Sequence, residues 1–289
     1  MDALTVAQAL FQAQARGLER LDAQLLLLHA LGKSERERAW LLSHDTDQLP
    51  AAAQAALQAG VQRRACGEPL AYITGYKEFF GLALRVDQRV LVPRPDTETL
   101  VDWALAVLEA ASVAQTPEAT RALRALDLGT GSGAIALALK ATRPALDVSA
   151  LDFSFDALAV AQANAQRLGL ALRLHQGSWL TALAQPLARF DLIVSNPPYI
   201  AAQDVHLAAL IHEPLQALTS GADGLDDIRQ IISQAPAHLN PGGWLLLEHG
   251  YDQAAKVRDL LLAAGFKEVQ LRRDLNGIER CSGGRLAPG

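Results

Sequence analysis

Arg124-Ala125-Leu126-Asp127-Leu128-Gly129-Thr130-Gly131-Ser132-Gly133-Ala134 is the stretch that decides the fold. Its first five residues read as a strand. The glycines at 129, 131 and 133 then permit positive φ and let backbone approach a ligand with no Cβ in the way. Outward from this loop the pattern alternates. Strands are predicted at 147–152, 172–176, 190–195, 244–248 and 268–272, with helical stretches such as 156–168 and 253–264 between them. Such alternation implies an α/β fold, a doubly wound and mostly parallel sheet with helices on both faces. Ligands of that architecture bind beyond the carboxyl ends of the strands, where every motif below falls.

The loop admits two cofactors. Gly129, Gly131 and Ala134 satisfy the dinucleotide pattern G-x-G-x-x-G/A, and Asp152 lies about where its ribose-binding acid belongs. Two features favour S-adenosylmethionine instead. Asp127, two residues before the first glycine, puts an acid where it suits a cationic amino-acid group and repels a diphosphate. Gly133 opens the loop further than a pyrophosphate requires. Asp127 is therefore expected near the methionine portion, and Asp152 is expected to accept from both ribose hydroxyls. Trp179 follows the next strand end, where it either flanks an adenine or packs in the core.

The fourth strand delivers Ser195-Asn196-Pro197-Pro198-Tyr199 to its carboxyl end. Two prolines remove N–H donors and stiffen the turn, leaving carbonyl oxygens as the available groups. The Asn196 side-chain oxygen and the Pro197 carbonyl then offer two acceptors, which match the two donors of a planar –NH2. Held this way, an amide or aromatic amine turns its lone pair toward a sulfonium methyl group. The acceptors also favour the positive charge the nitrogen gains in the transition state. Tyr199 would wall the planar group.

Ahead of this domain, residues 1–75 read as a small all-α domain. Leu21, Leu25 and Leu28 are expected on one inward face, as are Leu49, Ala53, Leu57 and Val61, and Ser34-Glu35-Arg36-Glu37 is a capping box. Tyr76–Phe80 and Leu82–Val86 flank Gly81 as a β-hairpin, so 76–92 is assigned as a hairpin linker and 93–289 as the catalytic domain. Val92-Pro93-Arg94-Pro95 is extended. Asp96 or Thr97 then caps a helix to about Ala111, with Leu100, Val101, Ala104 and Leu108 inward.

The whole chain agrees with two domains, since 289 residues exceed the roughly 150 typical of one. Half its residues are apolar and mean hydropathy is +0.11, which excludes a disordered or collagen-like chain. No apolar run approaches the roughly 18 residues of a membrane span, and the amino terminus has no secretory pattern. Cys66 and Cys281 match no metal or redox spacing, and His206 and His212 lack a third ligand. A cytoplasmic protein without a metal is expected. Residues 1–85 are neutral overall, so the net charge of −5 lies in the rest. That argues against a nucleic acid as direct substrate.

The sequence resembles the Asn-Pro-Pro-Tyr amino-methyltransferases, and more closely the release factor glutamine methyltransferases (the PrmC/HemK group). The resemblance is carried by Gly67–Gly75, Glu78-Phe79, Val92–Glu98, Leu126–Leu137, Asn196–Ile200, Leu247-Glu248-His249-Gly250 and Asp274–Arg280. It implies a Rossmann-like methyltransferase sheet that methylates the glutamine of the Gly-Gly-Gln loop in class 1 peptide chain release factors. It further implies that Gly129, Thr130, Gly131, Ser132, Gly133, Asp152, Trp179 and Asn196 contact the cofactor. Asn196, Pro197, Pro198 and Tyr199 would hold the glutamine, and the helical domain would meet the release factor. Ser178 stands where the family often has an acid. Cys281-Ser282-Gly283-Gly284 replaces the family's apolar run after the arginine, which weakens the expectation of a closing strand. Arg94 is open to pairing with an acid or helping position a lid over the cofactor, and His249 reads as structural. The rival activities are glutamine methylation of a ribosomal protein, adenine methylation of DNA or RNA, a nicotinamide-dependent oxidation, and a silent nucleoside-binding scaffold.

Overall fold

The structure is a computed structural model that describes residues 3–114, 121–183 and 188–287. The chain divides into two compact units, Met1–Tyr76 and Lys77–Gly289.

The first unit is helical, with α1 (Val6–Ala15), α2 (Arg20–Ala30), α3 (Arg38–Ser43), α4 (Ala51–Ala65) and α5 (Leu70–Thr74). Thr5 opens α1 with a capping box, and the Ser34–Glu37 box forms as expected, though around a single 3-10 turn. Leu49, Ala53, Leu57 and Val61 are buried together. The α2 face differs from expectation. Leu26, Leu27 and Leu28 are buried with Ala23, whereas Leu21 is 47% exposed. Four consecutive leucines permit more than one helical face to be apolar, so packing against α1 and α4 makes the choice.

From the last residue of the first unit, β1 (Tyr76–Phe79) runs into the second and forms the hairpin with β2 (Leu82–Arg85). Within the segment 76–92, Phe79 and Leu84 enter the main core. Asn164 clasps β2 by accepting from the Arg85 N–H (2.7 Å) and donating to its carbonyl (3.0 Å). Helix α6 (Glu98–Val113) follows, with Leu100, Val101, Ala104 and Leu108 fully buried.

The sheet comprises β3 (Arg124–Leu128), β4 (Asp147–Asp152), β5 (Arg173–Gln176), β6 (Phe190–Ser195), β7 (Leu239–Glu248), β8 (Lys267–Arg273) and β9 (Glu279–Arg285). Their order is β5-β4-β3-β6-β7-β9-β8. Strands β3 to β7 are parallel, and β9 is antiparallel to both neighbours. Helices α6, α7 (Ala134–Thr142), α8 (Phe155–Leu168), α9 (Asp226–His238) and α10 (Ala254–Ala263) cover it. Side chains alternate along each strand. Leu192 and Val194 of β6 join one core with α6 and α7, and Ile193 joins the other with α9 and α10. This is the mostly parallel, Rossmann-like α/β fold expected from the sequence.

The closing strand, whose expectation Cys281-Ser282-Gly283-Gly284 had weakened, does form. Its glycines are there for space. A Cβ on Gly283 would lie 2.5 Å from Leu246 Cδ2, 2.7 Å from the Leu245 carbonyl oxygen and 2.9 Å from the Trp103 ring. Ladders on both sides hold the strand, so it needs no apolar run of its own. Among the described residues, no helix is long and apolar enough to cross a membrane and no group of three or more His, Cys, Asp or Glu could hold a metal.

Candidate active site

The carboxyl ends of β3, β4, β5 and β6 open onto a cavity of about 330 Å³. Gly129, Gly131, Asp152, Trp179, Asn196 and Pro198 line it. The turn after β3 folds over the β4 end: Gly131 N–H donates to Asp152 Oδ2 and Ser154 N–H to Oδ1, both at 2.9 Å. These bonds aim the carboxylate and leave each oxygen a further lone pair. Burial nonetheless pushes the Asp152 pKa up. Trp179 is half-buried, and its ring lies 3.5 Å from where a Cβ on Gly129 would sit. Its indole N–H donates to Asp227 Oδ1 at 2.9 Å, and its φ of +46° is a strain of about 1–3 kcal/mol that these contacts sustain.

The other residues assigned to the loop do not reach the cavity wall. Thr130 and Ser132 are buried, and Gly133 serves helix packing, since a Cβ there would come within 3.0 Å of Leu137 and 3.3 Å of Ala161. Asp127 is 1% exposed and sits beneath the loop. Its Oδ2 accepts from Thr130 Oγ1 (2.7 Å) and the Ala136 N–H (3.2 Å), while Oδ1 is buried without a hydrogen-bond partner. Burial pushes its pKa up to about 7, against the pull of those two bonds.

That burden predicts a pH-dependent stability. The folded pKa lies above the ordinary value, so wild type pays nothing below about pH 4. Its penalty then grows as pH rises toward 7 and levels off above. Asp127→Asn carries no such charge. Its stability relative to wild type should rise from pH 4 to 7 in urea unfolding, and a pH-independent difference would refute the buried ionisation.

At the end of β6, Ser195 Oγ donates to the Leu128 carbonyl at 2.7 Å and ties the two central strands together. Asn196 Nδ2 donates to Thr97 Oγ1 at 3.1 Å, and among the described residues Asn196 Oδ1 carries no hydrogen bond. Thr97 stands at the start of α6 yet makes no side-chain cap there; its hydroxyl is turned to Asn196 instead. A second hollow of about 100 Å³ is lined by Asn196, Pro197 and Tyr199 with Arg94 and Leu218. Leu91, Asn196 and Ala217 border both hollows, and of these Asn196 alone has a polar side chain.

Tyr199 is held at both ends. Its carbonyl accepts from Gln253 Nε2 at 3.0 Å, and its hydroxyl donates to Glu248 Oε1 at 3.4 Å. Burial and the Glu248 charge push its pKa up, so it stays a neutral phenol. Arg94 pairs with Glu213 at 2.5 Å, and Glu213 also accepts from the Val92 N–H at 3.1 Å. Of the two readings of Arg94, the acid pair is the one seen. His249 is fully buried between the Gly250 carbonyl (2.9 Å) and Ser282 Oγ (2.8 Å), a structural place. Sequence reasoning missed the site roles of Thr97, Glu213 and Gln253. Thr97 carried a signal, since it sits inside the Val92–Glu98 motif, but Glu213 and Gln253 lie in no motif and carried none.

The family model for the PrmC N-terminal domain matches residues 2–75, and that for the methyltransferase small domain matches residues 110–224. A curated release factor glutamine methyltransferase of Bordetella pertussis is 51% identical over 93% of this chain and 96% of its own. One of Xylella fastidiosa is 48% identical over 96% and 97%. A crystal structure of a methyltransferase from Pyrococcus furiosus shares the fold, with a TM-score of 0.51 and 19% identity over 80% of this chain and 98% of that one. With about half its residues identical to these relatives over nearly the full length, the chain belongs to the release factor glutamine methyltransferase family.

Proposed function

We propose that this protein transfers a methyl group from S-adenosylmethionine to the side-chain amide nitrogen (N5) of the glutamine in the Gly-Gly-Gln motif of class 1 peptide chain release factors. The observation that carries the reading is the place of Asn196, the polar side chain between two hollows, with an uncommitted carbonyl oxygen. The larger hollow suits the cofactor. Asp152 retains acceptor capacity for ribose hydroxyls, Trp179 offers a flat face, and the orphaned Asp127 Oδ1 under the glycine loop supplies a negative potential toward a cationic group. When bound, the sulfonium supplies an electrophilic methyl carbon.

The chain's own residues do the rest. Asn196 Oδ1 and the Pro197 carbonyl accept the two N–H bonds of the glutamine amide, which directs the nitrogen lone pair away from them and toward the larger hollow. Both oxygens stabilise the positive charge that grows on nitrogen as it is methylated. The charged nitrogen then loses a proton to solvent, so no strong base is required. Tyr199 and Leu218 wall the amide while Pro198 borders the larger hollow, and the helical unit 1–75 recognises the protein substrate, in the cytoplasm where translation terminates.

Labelled cofactor incubated with the protein and a release factor should place label on the Gly-Gly-Gln glutamine, located by peptide mass spectrometry. A Gln→Ala release factor should take none. Label on a ribosomal protein or on adenine instead would replace this reading with one of its rivals.

A further inference from the structure

Behind Asn196 lies a buried polar pair that the proposed chemistry has not used. Thr97 is 4% exposed and Glu248 is 1% exposed. Thr97 Oγ1 accepts from Asn196 Nδ2, and Glu248 Oε1 accepts from the Tyr199 hydroxyl. Glu248 Oε2 is buried without a hydrogen-bond partner, an open acceptor beside the Thr97 hydroxyl, whose nearness favours the charged form of the carboxyl although burial outweighs it.

The arrangement solves a symmetry problem. An asparagine amide has nearly the same shape when turned by 180°, but the turn exchanges its acceptor for its donor. Turned the wrong way, Asn196 would set an NH2 against the incoming NH2. The group behind it must therefore be an acceptor. A hydroxyl is donor and acceptor alike, and it accepts reliably only when another group claims its single proton. An ionised carboxylate accepts and cannot donate, so it makes that claim.

We propose that Glu248 and Thr97 are positioning residues that fix which way the Asn196 amide faces, Glu248 by accepting the Thr97 O–H and Thr97 by accepting from Asn196 Nδ2. The inference rests on the reading of Asn196 Oδ1 as an acceptor for the substrate amide. It also connects the site to pH. Burial pushes the Glu248 pKa up to about 7, against the pull of Thr97, Arg280 and Tyr199, while Asp96 adds to the rise. The Cys281 thiol, which faces the same carboxyl, is pushed up as well and stays neutral. Below about pH 7 Glu248 gains a proton and can donate to Thr97 Oγ1. The Thr97 proton is then free to turn toward Asn196, which favours the wrong orientation.

The test uses the full-length protein with S-adenosylmethionine and a release factor. Thr97→Val should lower kcat by about 10–100-fold, the scale of a misoriented reacting group. Cofactor Kd should stay within about threefold, since uniform binding is untouched. Thr97→Ser should restore most of the lost kcat. Glu248→Gln should lower kcat and remove its acid limb between about pH 6 and 8, because no carboxyl is left to titrate. A purely structural role would shift Tm and cofactor Kd and leave the shape of the pH profile unchanged. Side-chain amide resonances of the protein labelled with 15N-asparagine read the orientation without turnover. The Asn196 NH2 should be protected in wild type and lose protection in Thr97→Val. Wild-type protein that labels no glutamine would overturn the proposed function and leave this NMR reading intact. Active wild type with Thr97→Val at full kcat, or an Asn196 NH2 unprotected in wild type, would overturn the inference itself.

Discussion

Alanine at position 196 should lower kcat by about 10²–10⁴-fold, combining a lost transition-state acceptor with lost orientation of the amide. Affinity for S-adenosylmethionine should change far less. Asn196 contributes one edge of a cavity whose floor and walls are made by Gly129, Asp152 and Trp179, and truncation leaves those in place. The side chain's present hydrogen bond is to Thr97, so the variant removes one polar contact and leaves only one lone pair of the Thr97 hydroxyl without its donor. Stability should therefore hold while turnover collapses. Single-turnover transfer of labelled methyl, beside calorimetric titration of the cofactor, separates the two quantities. Full turnover by Asn196→Ala would end the twin-acceptor mechanism, whatever the affinity did.

The second large effect is on stability. Gly224 precedes α9 with φ of +75°, directly against the segment that follows the two prolines. A Cβ there would lie 2.2 Å from the Tyr199 carbonyl oxygen and 2.8 Å from Gln253 Nε2. The neighbour is backbone that Gln253 already pins, so it cannot step aside at little cost. Gly224→Ala should cost about 2–5 kcal/mol, the sum of a left-handed alanine and an overpacked contact. For a unit of this size Tm should fall by about 5–15 °C. Gly277→Ala is the control: its φ is +78°, yet nothing lies within 4 Å of an added Cβ, so only the conformational part should appear. Equal Tm losses in the two variants would mean the contact with Tyr199 contributes nothing. Where Gly224→Ala survives folding, its kcat should drop too, since the displaced carbonyl belongs to the residue that walls the amide.

Most of the architecture was legible because it is written in local chemistry. Parallel strands buried on both faces read as apolar runs at 124–128, 147–152 and 190–195, and these came out at their expected bounds. Strand β7 begins earlier than the Trp244 expected, because Pro241-Gly242-Gly243 reads as a turn while the structure absorbs it with a register shift against β6. In the candidate site, Asp152, Gly129, Gly131, Trp179 and Asn196 were all named from the sequence and line one cavity. Asp127 was named as well, but its burial beneath the loop was not foreseeable, because an acid before a glycine reads the same whether it faces a ligand or a helix terminus.

The sequence alone determined the α/β alternation, the glycine turn after β3 and the rigid proline turn after β6, since each depends on the φ preferences and hydrogen-bonding capacity of adjacent residues. Only the tertiary structure decided which leucines of α2 face inward, that a glycine pair could close the sheet, and that Thr97 would turn from its helix to Asn196. Those outcomes depend on groups distant along the chain. Thr97 and Asn196 are 99 residues apart, and Arg94 and Glu213 are 119 apart. A residue's local preference carries no information about which surface will stand opposite it once the core has formed.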